Sequence, residues 1–170
     1  PLPLALLLIR RGVKTGVEGL TICVILLTTL MGPLRGPLVL FPYGLLSLWL
    51  GHSWQKGWNW WLSWSVGVSI GTLGFLVRVF ALSLLVGENL WVILTRAGAG
   101  LLEKGIDLLN LSLTPDMRQI QIVALLLIVT QEIVYVLCLH ALAYWIFPRL
   151  KSSIPEPPVL LEKLISLEPN

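Results

Sequence analysis

Trp58–Val86 reads WNWWLSWSVGVSIGTLGFLVRVFALSLLV, with Arg78 its only charged residue. An α-helix rises about 1.5 Å per residue, so about 20 apolar residues cross a hydrocarbon layer of about 30 Å. The stretch exceeds that length and predicts a membrane-spanning helix. Trp58, Trp60, Trp61 and Trp64 crowd its start. Indole rings favour the membrane–water boundary, so these four are expected to anchor the helix there.

The rest of the chain reads the same way. Apolar residues make up 56% of the 170 and charged ones 12%. A soluble domain carries about a quarter charged residues. The expected fold is therefore all-α, a polytopic transmembrane helix bundle with about five spans or part-spans. Upstream, residues 2–9 are apolar but too short to span, and read as the end of a helix that begins before Pro1. Val17 to Met31 is a span. The Gly- and Pro-rich GPLRGP then turns the chain. Leu38 to Gly51 reads as another span, kinked at Pro42, and His52 to Gly57 as a short polar loop.

Downstream, Glu88 to Leu111 differs. Arg96, Glu103, Asp107 and Asn110 fall on one helix face, so an amphipathic helix at the interface or over the bundle is expected. Thr114-Pro115-Asp116 restarts the chain, and Ile120 to Phe147 is the last long span. This divides the sequence into a transmembrane domain, 1–147, and a Pro-rich tail, 148–170, with a short amphipathic piece at 159–167. Cys23 and Cys138 each sit in an apolar run and read as small core residues without a disulfide framework.

Positive charge marks the cytoplasmic side. Arg10, Arg11 and Lys14, then Lys56, then Arg149 and Lys151 alternate with the turn at Arg35 and the segment from Glu88 to Asp116. The expected C-terminus is cytoplasmic, and one more helix upstream would complete six spans. The net charge of +3 is too small and too scattered for nucleic acid.

Two ionisable residues stand inside spans. Arg78 lies about 30 Å along its helix, where it either snorkels to headgroups or faces inward. Glu132 is about 23 Å from either end of the last span, and a carboxylate there needs a partner or a watery cavity. Counted by depth, Arg78 and Glu132 are candidates to pair, either fixing helix register or lining a pocket. Gln131, Tyr135 and His140 share the helix and join Glu132 as candidate substrate-binding residues. Ser63, Gly67 and Gly71 recur every four residues with Gly74 close by, a face for close helix packing or for docking a partner. No second His, Cys or carboxylate stands at a metal-ligand spacing, so no metal is expected. There is no phosphate loop, zinc-protease or serine-hydrolase motif, so neither enzymatic activity nor a cofactor is expected.

The stretches PLPLALLLIRRG, GWNWWLSWSVG, GFLVRVFALSLLVGENLW and PEPPVLLEKL resemble the YybS-like predicted membrane proteins of unknown function, the cyanobacterial-type members in particular. That family is similar to the substrate-binding S components of energy-coupling-factor transporters. The resemblance implies six helices, a ligand site near the outer face, and partners in the form of a T component and two ATPases. It assigns no ligand residue here. The expected function is thus an S-like subunit of an importer for a small solute, in an inner, plasma or thylakoid membrane. In that reading, Arg78 and Glu132 polarise a pocket beneath a lid formed by the 88–111 helix. The alternative is a structural or assembly subunit of a larger membrane complex, a photosynthetic one included, with the Trp cluster and glycine face as contact surfaces.

Overall fold

The computed structural model describes residues 1–33, 36–108, 116–152 and 154–158, apart from the side chains of 101–103 and 106–108. Arg35, the 109–115 connection with Asn110 and the 159–167 piece lie outside the described residues, as do the side chains of Glu103 and Asp107. The described residues form six α-helices: α1 (Leu2–Arg11), α2 (Val13–Met31), α3 (Tyr43–Gln55), α4 (Trp60–Val86), α5 (Leu90–Leu108) and α6 (Met117–Ile146). No strand occurs among them.

Three helices, α2, α4 and α6, are long and apolar enough to cross a membrane. Their outer surface suits lipid: Ile25 is 60% exposed, Leu30 76% and Phe80 67%. Several hydroxyls on these helices are satisfied by their own backbone, as a lipid setting favours. Thr21 donates to the Val17 carbonyl at 2.9 Å, Thr28 to Val24 at 2.7 Å and Ser69 to Ser65 at 3.0 Å.

Two expectations are corrected here. The span expected at 38–51 is instead a 3₁₀ turn, Pro37–Leu40, followed by α3 of 13 residues, about 20 Å long. The polar loop expected at 52–57 is helical as far as Gln55. Sequence polarity misled there, because Ser53 and Trp54 are buried by contacts across the bundle rather than solvated. The short helices α1 and α3 pack on each other, with Gly51 seated against Ala5 and Leu8. With α6 they build the main core of Ala5, Leu46, Leu50, Trp54, Val136 and Phe147.

Local sequence explains the helix ends. Gly12 joins α1 to α2 at φ 90, and Gly87 closes α4 at φ 75, values that favour glycine. The Asn59 side chain caps α4 by accepting from the Trp61 N–H at 3.0 Å. Asp116 and Gln119 form a reciprocal capping box at the start of α6. At the α4–α5 corner, Ser83 donates to the Val79 carbonyl and accepts from the Leu90 N–H at 3.0 Å.

The basic loops converge. Arg10 donates through Nε to the Ser152 hydroxyl at 3.2 Å and through Nη2 to the Leu150 carbonyl. Ile9, Lys56 and Ile154 line one cleft. The segments around Arg10, Lys56 and Arg149–Lys151 therefore share one end of the bundle, as the charge alternation requires. α5, expected from Glu88 to Leu111, runs Leu90–Leu108 and packs on α6 and α4. Arg96 is exposed, while Thr95 and Gly98 are buried, with Gly98 facing Ala124.

Candidate functional site

The site lies along the α4–α6 seam. Ser63 meets His140, Gly67 meets Val136 and Gly71 meets Glu132. Each step of four up α4 matches a step of four down α6, so the helices run antiparallel with small residues letting the backbones close. Ser63, Gly67, Gly71 and Gly74 are all buried. Gly67 also faces Leu46 and Leu50 of α3, and Gly74 sits against Pro42. The stripe is filled within this chain, which leaves no free face for the docking alternative.

The seam has two polar stations. The first is at the basic end. His140, 0% exposed, bonds through Nδ1 to the Val136 carbonyl at 2.9 Å and through Nε2 to the Ser63 hydroxyl at 3.1 Å. The carbonyl can only accept, so Nδ1 carries a proton. The Ser53 hydroxyl continues the chain 2.8 Å from that of Ser63. Trp54 and Trp60 pack edge-on to the imidazole, at centroid distances of 5.2 and 4.7 Å. Trp49 donates to the Ser63 carbonyl at 3.1 Å. This station ties α3, α4 and α6 together, and its hydrogen bonds and packing make it structural.

The second station is Glu132, two turns along α6 and near its midpoint. It is 4% exposed, and its Oε2 is buried with no hydrogen-bond partner. Its carboxyl fills the space that any side chain at residue 71 would take. Tyr135, one turn away on α6, is half-buried, and its ring meets Tyr43 edge-on with centroids 6.2 Å apart. The Arg78 guanidinium carbon lies 5.8 Å from the Tyr43 ring centroid.

Several expected site residues are placed differently. The expected Arg78–Glu132 pair is not formed among the described residues: Arg78 lies over Tyr43, and Oε2 stands alone. The level of Glu132 on α4 is Gly71, and Arg78 is seven residues, about 10 Å, beyond it. Gln131 is exposed and takes no part. His140 belongs to the structural station. Trp60 is 3% exposed, a core residue rather than an interface anchor. Trp61 is exposed; Trp58 packs on Trp49 and His52; Trp64 donates to the Ile133 carbonyl at 3.4 Å. Cys138 is exposed and Cys23 partly so, because both fall on outer faces of their helices.

Tyr43, Ser53 and Trp54 escaped sequence reasoning. Tyr43 follows Pro42 at a helix start, the one signal that could have drawn attention to it. The expected pocket beneath α5 also differs. A cleft of about 540 Å³ lies at the α4–α5 corner, lined by Leu76, Phe80, Ser83, Glu88, Asn89 and Trp91 among others. Trp91 also borders a neighbouring cleft of about 520 Å³ with Arg118 and Gln121. Neither is lined by Arg78 or Glu132. Among the described residues, no cluster of His, Cys, Asp or Glu could hold a metal ion.

Fold and seam define an all-helical membrane protein with a buried acid midway along its longest helix. The chain belongs to the predicted membrane protein family DUF2232, whose profile matches residues 1–162. No curated protein and no solved structure matches it.

Proposed function

We propose that this chain is the solute-binding, S-like membrane subunit of an energy-coupling-factor type importer, a YybS-like protein of the cyanobacterial type. The observation that carries the reading is Glu132, whose Oε2 is buried near the midpoint of a membrane-length helix without a hydrogen-bond partner. Intramembrane acids are expensive, and they mark substrate or ion paths when nothing pairs with them. Tyr135, Tyr43 and Arg78 extend the polar line from it and supply further contacts for a small solute. The protein performs no chemistry of its own and draws energy from a T component and ATPases. The basic end, with Arg10, Lys56 and Lys151, faces the cytoplasm of an inner, plasma or thylakoid membrane.

Gentle purification from native membranes, with identification of the co-purified chains, tests the reading. A T component and ATPases are the expected partners. The second reading, an assembly subunit of a larger membrane complex, is favoured by the dense filling around His140, Trp54 and Trp60. Recovery with a large complex and no ATPase would establish it instead.

A further inference from the structure

We infer that Glu132 is a cation-exchange site: its carboxyl holds a proton at rest and gives it up when a small cation takes its place. The inference deepens the proposed function by naming the charge of the solute, and it rests on Glu132 being the solute site. An isolated carboxylate in low dielectric is so costly that it is neutralised by a proton, a counter-ion or a ligand. Among the described residues, no counter-ion is bonded to the buried Oε2 of Glu132. On α4, Gly71 faces it with no side chain, and Arg78 is about 10 Å further along, over Tyr43. From α3, Tyr43 meets the Tyr135 ring edge-on. On α6, His140 is committed to Ser63 and Val136. On α5, Arg96 is exposed. A proton is the occupant that leaves Oε2 without a protein partner.

The same geometry sets the ligand class. The room left by Gly71 is occupied by the carboxyl, and Tyr135, one turn along α6 from it, meets Tyr43 edge-on. A positive charge, alkali ion or amine, meets an acceptor-only carboxylate there. Exchange is balanced: the proton leaves to water as the cation enters, and the charge of the occupied site stays zero. Arg78 stands clear, so the entering cation does not have to displace it.

A membrane-permeant carbodiimide tests this. It adds only to protonated carboxyls, taking the acid proton on nitrogen and forming an O-acylisourea that rearranges to a stable N-acylurea. The full chain, in native membranes, is treated with dicyclohexylcarbodiimide and mapped by peptide mass spectrometry. One adduct is expected on Glu132, falling as pH rises, and lost when sodium, potassium or methylammonium is raised in separate arms. The arm that protects distinguishes an alkali ion from an amine. Glu132→Gln removes the adduct; should that variant fail to fold, the wild-type peptide map alone locates it. No adduct on Glu132 overturns the inference. An adduct that none of the three cations removes leaves a buried acid and overturns the cation-exchange site. Neither result bears on co-purified ATPases, so the importer reading is tested separately.

Discussion

Two stations on one helix seam, Ser63–His140 and Gly71–Glu132, differ in how polarity is handled. At the first, His140, Ser63 and Ser53 are linked by hydrogen bonds and aromatic rings close the space around them, with only the neutral indole N–H groups of Trp54 and Trp60 buried and unbonded. At the second, a carboxyl oxygen is buried with nothing bonded to it. The difference lies in the α4 residue: Ser63 brings a hydroxyl, and Gly71 brings only room. A matched polar group stabilises a bundle, whereas an unmatched one is retained at a cost, which binding can offset.

That contrast breaks most readily at the structural station. Trp54→Ala removes a ring packed on His140 and Phe147 and should lower stability by about 3–5 kcal/mol, read by thermal unfolding in detergent. A near-neutral Trp54→Ala would show that the station is not structural. Gly67→Leu follows. A Cβ there already approaches Val136 at 3.0 Å, so the larger side chain should cost about 1–3 kcal/mol or more and unfold the isolated chain rather than release a partner. A folded Gly67→Leu that merely loses partners would place the glycine face outside the bundle.

Ser63→Ala comes next. It leaves the buried His140 Nε2 without its hydrogen-bond partner and should cost about 1–3 kcal/mol. The matching change at Ser53, whose partner retains His140, should cost less. Arg78→Met loses a cation–π contact worth about 0.5–1 kcal/mol and should barely shift the unfolding temperature. A large loss there would mean that Arg78 has an ionic partner after all.

Much of this fold was legible in the sequence. Apolar runs of span length predict α2, α4 and α6, and four-residue spacing predicts the small-residue face on which α4 and α6 meet. Counting along the last helix puts Glu132 near the middle of that helix, where α6 has it. What it could not supply was the offset between helices. Arg78 and Glu132 looked level when each was counted from its own helix end, but packing brings Gly71 opposite Glu132. Composition likewise failed at Trp60. A tryptophan near a span end reads as an interface anchor until another helix covers it, and the cover comes from α6, about 80 residues away in sequence. The polar letters of 52–57 misled for the same reason, since Ser53 finds its partner on α4.

The unpaired state of Glu132 is what the functional reading depends on, and thermal unfolding of Glu132→Gln against wild type tests it most directly. A neutral amide of the same shape in place of a lone carboxyl should leave stability within about 0.5 kcal/mol of wild type, or raise it, and combining it with Arg78→Met should add nothing beyond the single effects. A loss of about 3–5 kcal/mol in either single variant, largely recovered in the double, would be the signature of a buried ion pair and would contradict it.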